Sequence, residues 1–202
     1  CLLSRGLGDV YKRQVIATGM RGKVYVVDKS KERLKQLHKM FGDKIIPTES
    51  DKTDLNKLVS ECDLLIGGVL IPGAEAPKLV TKEMVKNMKR GAVVVDVAID
   101  QGGCVETSKP TTHANPTYLV GDVVHYCVAN MPGGVPRTST MALNKATLPL
   151  LIKLADQGYK KTLQENKNYL AGLNVYKGKV TFKGVAQALN LNYTPAKEAL
   201  QD

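Results

Sequence analysis

Residues 93–104 read VVVDVAIDQGGC. A run of mostly β-branched residues is typical of a buried parallel strand, and the acid and the two glycines that follow end it abruptly. We therefore predict a strand over Val93–Ile99, with Asp100 at its carboxyl end. Ligands of open α/β sheets bind just beyond the carboxyl ends of the strands, because the connecting loops diverge there. Gly102 and Gly103 would let the backbone approach a bound molecule closely.

Similar strand patterns occur on both sides of this stretch. Short apolar runs alternate with amphipathic helical segments, and the connections between them are short; the runs lie at 23–28, 63–68 and 123–128. Four of the helices are preceded by residues that favour the N-cap position, namely Ser30, Asp54, Thr81 and Thr181. The alternation predicts an α/β fold with a doubly wound parallel sheet. Beyond residue 136 the pattern is helical, with one long helix kinked at Pro149 or two short helices over 138–158.

The composition is that of a soluble globular protein, with 43% hydrophobic and 24% charged residues among 202. No apolar run approaches the ~20 residues of a membrane span. The net charge of +10 is spread over amphipathic helices, which favours solvated faces over a nucleic-acid surface. The four cysteines form no CxxC pair and have no histidine at metal-ligand spacing. We therefore predict no metal site, and reduced thiols in a cytoplasmic protein.

The first 14 residues, CLLSRGLGDVYKRQ, do not fit the pattern that begins at Val15. Gly6 and Gly8 resemble the start of a dinucleotide-binding G-x-G-x-x-G loop, but Tyr11 occupies the third glycine position. Too few residues precede Gly6 for the strand that should present such a loop. We predict that this segment is foreign, and that the sheet lacks its first strand and glycine loop. A functional glycine loop is the alternative.

Polar or apolar loops at several strand ends are candidates for cofactor binding. Asp28 stands where a dinucleotide fold places the acid that hydrogen-bonds the ribose hydroxyls of adenosine, although a helix-capping acid is equally common there. An aspartate at this position favours NAD over NADP, because it would repel a 2′-phosphate, but the nearby Arg33 could accept one. For the loop 69–73, which could contact adenine or ribose, ordinary loop packing is the favoured interpretation.

Asp100 and Asn130 are the other two candidates. Asp100 is either a polar group beside a nicotinamide or a substrate amine, or a turn residue that caps the glycines. Asn130 offers an amide to a carboxamide, or simply ends a strand before Pro132. We assign no catalytic role to the histidines, because a histidine within a strand, such as His125, is more often a packed core residue.

Two segments carry a resemblance to a known family. Residues 69–118 read VLIPGAEAPKLVTKEMVKNMKRGAVVVDVAIDQGGCVETSKPTTHANPTY, and residues 125–158 read HYCVANMPGGVPRTSTMALNKATLPLLIKLADQG. From about Val15 to its end, the chain resembles the alanine dehydrogenase and pyridine nucleotide transhydrogenase family, on its alanine dehydrogenase side. A transhydrogenase alpha chain is the second choice, because it lacks the combination of DVAIDQGGC and HYCVANMPGxVPRTST. A non-catalytic NAD-binding module is a further alternative.

The resemblance implies a cytoplasmic, homohexameric oxidoreductase of L-alanine catabolism. Such an enzyme deaminates L-alanine to pyruvate and ammonium with NAD, reversibly, and uses neither a membrane nor a nucleic acid as partner. By matching motif, Asp100 would be the catalytic residue: it would face the reacting carbon and, with a histidine, handle water and ammonia in the iminopyruvate steps. The residues implied to bind the cofactor are Asp28 and Arg33 at the adenosine ribose, Ser50 near the adenine, Val69 and Leu70 in the cleft, and Ile99, Asn130, Met131 and Pro132 around the nicotinamide and its ribose.

The chain also departs from that family. The family's preceding substrate domain, which supplies an arginine, a lysine and a histidine, has no counterpart here, and the expected glycine positions hold Arg5, Leu7 and Val10. We therefore expect a C-terminal fragment that is inactive alone. Its expected parts are a foreign segment at 1–14, a partial Rossmann domain at 15–136, and a helical tail at 137–202 that packs on the substrate domain in the family.

Overall fold

A computed structural model describes residues 2–5, 10–69, 71 and 75–201 of the chain. These residues form two compact units, of which one extends to Met131 and the other begins at Pro132. Each unit is described by itself. Within the described ranges, no helix is long and apolar enough to cross a membrane. The predicted functional boundary at 136/137 stays a prediction.

The first unit is built on one seven-stranded sheet in which neighbouring strands are parallel, except at one edge. Its strands are β1 (Leu2–Arg5), β2 (Val24–Asp28), β3 (Ile45–Glu49), β4 (Leu64–Val69), β5 (Val93–Asp96), β6 (Thr117–Val120) and β7 (Val123–Tyr126). Their order is β3-β2-β1-β4-β5-β7-β6, and only β6 and β7 pair antiparallel. The chain leaves β3 at one edge and returns as β4 on the other side of β1. This reversal is the switch point at which doubly wound sheets bind ligands, and the predicted α/β class is confirmed.

Helices alternate with these strands, as the sequence predicts. They are α1 (Val10–Gly19), α2 (Lys31–Phe41), α3 (Leu55–Glu61) and α4 (Lys82–Lys86), with 3₁₀ turns at Gly42–Lys44, Ser50–Lys52 and Val97–Gln101. Three of the four predicted N-caps are confirmed. The prediction for Thr181 is wrong, because the helix Lys183–Ala188 begins after Phe182 and the hydroxyl of Thr181 donates to the carbonyl of Leu173 at 2.7 Å. The side chains of Ser30, Asp54 and Thr81 each accept a hydrogen bond from the backbone N–H three residues later, at 3.2 to 3.3 Å.

The prediction that the sheet lacks its first strand is wrong. β1 lies between β2 and β4 and pairs parallel with both, with Leu2 opposite Val26 on one side and Ile66 on the other. A segment between two strands gains backbone hydrogen bonds on both sides, so a strand of 4 residues can form there. Residues 6–9, which include the glycine-loop candidate, lie outside the described residues. The foreign origin of the first 14 residues stays a prediction.

The predicted strand over Val93–Ile99 is too long. β5 ends at Asp96, and the chain turns at once into a 3₁₀ helix from Val97 to Gln101. The side chain of Asp96 caps this turn by accepting a hydrogen bond from the N–H of Ala98 at 3.1 Å. A β-branched run therefore continues in sequence after the strand has ended in space.

The core of the first unit is aliphatic. Val26, Leu65 and Val94, one from each of three central strands, are 0% exposed. The side chains of Val59 and Val85, from α3 and α4, belong to the same cluster as Leu65 and Val94. Removing such side chains from water stabilises the sheet by about 25 cal/mol per Å² of apolar surface. The packed sheet is a rigid support for the loops at its edges.

The second unit is mostly helical. Its elements are α5 (Pro136–Gln157), α6 (Tyr159–Glu165), α7 (Lys167–Ala171), β8 (Val175–Tyr176), β9 (Lys179–Val180), α8 (Lys183–Ala188) and α9 (Ala196–Ala199), and a 3₁₀ turn at Met131–Gly134 leads into it. α5 continues past Pro149 as one helix. Of the two alternatives at 138–158, the single helix is therefore confirmed. A small core of Leu163, Tyr176, Ala199 and Leu200 holds the later elements together.

Candidate cofactor site

The carboxyl ends of the parallel strands bring most of the predicted site residues to one edge of the sheet. Asp28 ends β2 and Val69 ends β4, on opposite sides of β1. Ser50 directly follows β3, and Asp100 lies in the turn that follows β5. Asn130 comes four residues after the end of β7, which is parallel to β5. Leu70 lies outside the described residues, and Pro132 belongs to the second unit.

Asp28 is held at the end of its strand with one carboxyl oxygen already engaged. Its side chain is buried at 6% exposure, and Oδ1 accepts a hydrogen bond from the N–H of Ser30 at 2.8 Å. Asp28 lies opposite Glu49 in the pairing of β2 with β3. Arg33, one turn into α2, donates from Nη1 to Gln36 at 3.2 Å, while its buried Nε has no hydrogen-bond partner among the described residues.

Asp96, which is not among the predicted site residues, organises the loop that carries Asp100. Its carboxyl group is 0% exposed and accepts four hydrogen bonds from N–H and O–H groups, besides one from the thiol of Cys104 at 3.6 Å. The donors are the N–H of Ala98 at 3.1 Å, of Cys104 at 2.9 Å and of Val105 at 3.1 Å, and the hydroxyl of Ser108 at 2.6 Å. One buried acid thereby closes the loop onto itself. An acid within a β-branched run was the available signal, because a buried acid requires several donors.

Asp100 itself is exposed, whereas its neighbour Ile99 is 5% exposed. The turn ends at Gly102 and Gly103, whose φ angles are +87° and +76°. A Cβ atom at residue 103 would lie 2.8 Å from Oδ2 of Asp96, so the close approach requires glycine there. The loop therefore fixes the backbone of Asp100 while its carboxyl group remains open to a ligand.

The segment 76–79 is hydrogen-bonded to the loop that carries Asp100, which we define as residues 97–104 and call the Asp100 loop. The N–H of Ala76 donates to the carbonyl of Gln101 at 2.9 Å, and that of Leu79 donates to the carbonyl of Cys104 at 2.8 Å. Between them, Nζ of Lys78 donates to the carbonyl oxygens of Gly102 and Gly103, the latter at 2.9 Å. No local sequence pattern indicates this contact.

Asn130 has a left-handed backbone, with φ of +57°, which asparagine tolerates better than most residues. Its carbonyl oxygen accepts a hydrogen bond at 3.1 Å from Nε2 of His113, provided that this nitrogen carries the proton. The side chain of Asn130 is exposed and that of Met131 is half-buried. In the second unit, the carbonyl of Pro132 accepts a hydrogen bond from the hydroxyl of Ser139 at 2.8 Å.

Comparison with known proteins assigns the chain to a family. The family model "Alanine dehydrogenase/PNT, C-terminal domain" matches residues 14–183, most of the chain. The chain belongs to this family. It is 54% identical over 181 residues to alanine dehydrogenase of Halomonas elongata, covering 90% of this chain and 49% of that protein. It is 51% identical over 187 residues to alanine dehydrogenase 2 of Staphylococcus aureus strain USA300, covering 92% and 50%.

Among solved structures, an alanine dehydrogenase is more similar to this chain than a transhydrogenase is. An L-alanine dehydrogenase superposes with a TM-score of 0.81 at 44% identity, over 94% of this chain and 52% of that chain. A transhydrogenase from Sinorhizobium meliloti superposes with a TM-score of 0.65 at 25% identity, over 76% and 43%. Alanine dehydrogenase is therefore the more similar of the two. The chain spans about half the length of the curated relatives it matches.

The thiols of this member of the alanine dehydrogenase/PNT family are unpaired where the structure describes them. Burial and the negative charge of Asp96 raise the pKa of Cys104 to about 12, so this thiol stays protonated at neutral pH. Burial also raises the pKa of Cys62. Among the described residues, no group of three or more His, Cys, Asp or Glu side chains is arranged to hold a metal ion.

His125 is a buried residue of β7 at 0% exposure, and burial lowers its pKa. Its Nδ1 lies 3.2 Å from the carbonyl of Val123 and its Nε2 lies 2.8 Å from the hydroxyl of Thr107. A neutral ring with the proton on Nδ1 satisfies both contacts, because it donates to the carbonyl and accepts from the hydroxyl. His125 thus fixes the chain just beyond the Asp100 loop rather than facing a ligand.

Proposed function

We propose that this chain supplies the NAD-binding part of an alanine dehydrogenase. The reaction is the reversible oxidative deamination of L-alanine to pyruvate and ammonium, with NAD as the cofactor. The observation that carries the proposal is the convergence of Asp28, Val69, Asp100 and Asn130 on one edge of the sheet, on both sides of the reversal between β1 and β4. The alanine dehydrogenases of Halomonas elongata and Staphylococcus aureus, which are 54% and 51% identical to this chain, support the same reaction.

The residues at the end of β2 fit the adenosine end of a nicotinamide cofactor. One carboxyl oxygen of Asp28 accepts the N–H of Ser30, which leaves the other to accept a hydrogen bond from a ribose hydroxyl. Two acids, Asp28 and Glu49, lie opposite each other at this edge. Glu49 forms an ion pair with Lys31 at 3.8 Å. The charge of Asp28 would repel a 2′-phosphate, which supports NAD rather than NADP. Arg33 would lie alongside the ribose, where its guanidinium already donates from Nη1 to Gln36.

The remaining cofactor contacts are proposed on the basis of the matching motif, and those of the first unit that the structure describes also on their position along the same edge. We assign Ser50 to the adenine end, Val69 and Leu70 to the cleft wall, and Ile99, Asn130, Met131 and Pro132 to the nicotinamide and its ribose. Val69 and Ile99 are buried at 2% and 5% exposure and can form an apolar wall. The exposed amide of Asn130 can both donate to and accept from a carboxamide.

The chemical role proposed for this chain rests on Asp100. The cofactor, when bound, supplies the acceptor for the hydride that leaves alanine. The carboxylate of Asp100 accepts a proton from water or ammonium and stabilises the positive charge of the imine formed from alanine. Its exposed side chain on a fixed backbone suits this role, because protons must exchange with solvent while the position of the acid is maintained.

The wider setting of the enzyme is also proposed. We assign 15–136 to the NAD-binding domain and 137–202 to a tail that packs on a substrate domain. That domain, in the half of the relatives that this chain does not span, would bind the carboxylate of alanine or pyruvate. We further propose a cytoplasmic homohexamer with no nucleic-acid or membrane partner.

A chimeric enzyme tests the proposed reaction. Residues 14–202 would replace the corresponding part of Halomonas elongata alanine dehydrogenase, which keeps its own preceding half. We expect NAD-dependent production of NADH from L-alanine, measured by absorbance, at a rate within about tenfold of the parent, since the two are 54% identical. A folded chimera that binds NADH but does not oxidise alanine would contradict the proposal.

Asp28→Asn tests the cofactor assignment in the 202-residue chain itself. A hydrogen bond to a charged acceptor contributes about 1.5–3 kcal/mol, so we expect NADH to bind about 10- to 100-fold more weakly. The preference for NAD over NADP should also narrow, because the repelling charge is gone. Calorimetric titration with each cofactor measures both effects.

The matched control for that titration is Asp63→Asn, which removes an exposed acid that pairs with Lys89 just before β4 begins. The control should bind NADH like the wild type, because Asp63 lies at the opposite edge of the sheet. If Asp28→Asn bound NADH with wild-type affinity, Asp28 would not be part of the cofactor site.

A further inference from the structure

Lys78 contacts two successive carbonyls of the Asp100 loop, residues 97–104. Among the described hydrogen bonds, no other side chain outside this loop does so. Its Nζ donates to the carbonyls of Gly102 and Gly103. These carbonyls point toward one ammonium group because both glycines have positive φ angles. A charged donor makes stronger hydrogen bonds than a neutral one.

The position of Lys78 in the chain gives this contact a second consequence. Its segment follows Val69 and the loop proposed to line the cofactor cleft, and backbone hydrogen bonds on both sides of Lys78 join this segment to the Asp100 loop. Lys78 therefore connects the segment 76–79, which follows β4 in the chain, to the turn after β5. A displacement of this segment relative to the turn would have to break the contact between the ammonium and the carbonyls.

Asp96 and Lys78 hold different faces of the Asp100 loop. Asp96 accepts its inward N–H groups, at Ala98, Cys104 and Val105, whereas Lys78 donates to outward carbonyls. Asp96 is buried, and its loss would affect the fold. Lys78 is exposed, so its replacement can change the loop without removing core packing.

We propose that Lys78 is a positioning residue that holds the Asp100 loop in its cofactor-binding conformation; this inference rests on the proposed function. Lys78 does not itself contact the cofactor. It acts through the two glycine carbonyls, which set the direction of the backbone that carries Ile99 and Asp100. Losing the ammonium leaves the loop to sample other conformations, of which only some can bind the nicotinamide end.

Lys78→Gln, which cannot supply a charged donor, tests the proposal in the full chain. Hydrogen exchange should report it at the amides of Gly102 and Gly103, which donate to the carbonyls of Ile99 and Ala98 within the loop. We expect exchange about tenfold faster at these two amides and unchanged at Val94 in β5, because only the loop is released. NADH affinity, measured by fluorescence titration, should fall about fivefold or more.

Two further variants separate positioning from a general contribution to stability. Lys78→Arg should restore both readouts to within about twofold of wild type, because guanidinium also donates to two carbonyls. Lys86→Gln removes another lysine, one that pairs with Glu83 on α4, and should leave both readouts unchanged. If Lys78 contributed only to stability, Lys78→Gln would lower the unfolding midpoint without selectively weakening NADH binding.

The outcomes distinguish this inference from the proposed function. Unchanged exchange at Gly102 and Gly103 in Lys78→Gln would overturn the inference, whatever NADH does. Faster exchange with wild-type NADH affinity would overturn it as well. If the wild-type chain itself binds no NADH, the proposed cofactor site fails, and the exchange rates alone then decide whether Lys78 fixes the loop.

Discussion

Asp96→Ala should destabilise the first unit by about 3–5 kcal/mol, the largest effect on stability that we expect from a single substitution. The buried carboxyl accepts three backbone N–H groups and the hydroxyl of Ser108. Each buried donor left without a partner costs about 1–3 kcal/mol, and the costs partly overlap because the loop can relax. Urea unfolding followed by circular dichroism measures the change.

Asp96→Asn and Asp63→Ala are the comparisons for that experiment. Asparagine keeps the size of the side chain but presents an NH₂ group to one set of donors, so it should be destabilising although less so than alanine. Asp63 is an exposed acid beside Lys89, and its replacement should leave the unfolding midpoint unchanged. If Asp96→Ala stays within about 1 kcal/mol of wild type, the four hydrogen bonds do not organise the loop as described.

The parallel sheet and its helix caps could be predicted from sequence because their signals are local. Ser30, Asp54 and Thr81 cap helices through the N–H groups three residues ahead, which depends only on the neighbouring chain. Alternating apolar runs and helical segments likewise indicate which strands are buried. The strand ends then fix where Asp28 and Val69 lie, because parallel strands share one carboxyl edge.

The end of β5 could not be predicted, because it depends on contacts distant in sequence. Val97, Ala98 and Ile99 continue the apolar run, and the one local signal that separates them from the strand is the acid Asp96. Asp96 ends the strand by accepting donors as far away as Ser108, which become its neighbours only after folding. The contact of Lys78 with Gly102 and Gly103 spans 24 and 25 residues and is invisible for the same reason.

The first strand shows the opposite error, in which a local argument excluded an element that tertiary context supports. The sequence places few residues before Gly6 and shows no strand periodicity there. Leu2 nevertheless pairs with Val26 and with Ile66, because a gap between two parallel strands offers hydrogen-bonding partners on both sides. Tertiary pairing can thus override a weak local preference.

Asp100→Asn in the chimeric enzyme should lower kcat about 10³-fold, which corresponds to about 4 kcal/mol of barrier. Asparagine keeps the size of the side chain but neither accepts a proton nor carries the charge that stabilises a cationic imine. The affinity for NADH should stay within about threefold of the unsubstituted chimera, because the loop is held by Asp96 and not by the exposed side chain of Asp100. Steady-state rates and NADH titration together separate the chemical step from binding.

The isotope effect of alanine deuterated at its α-carbon shows which step Asp100 serves. If Asp100 handles protons of water and ammonium, those steps become rate-limiting in Asp100→Asn, and the deuterium effect on kcat falls toward unity because hydride transfer no longer limits the rate. An undiminished isotope effect with reduced kcat would instead place Asp100 in the hydride step.

The control for the rate measurement is Asp122→Asn, which replaces an exposed acid between β6 and β7 and should leave kcat unchanged. A kcat within threefold of the unsubstituted chimera in Asp100→Asn would exclude Asp100 from catalysis, and the fixed loop would then serve cofactor binding alone.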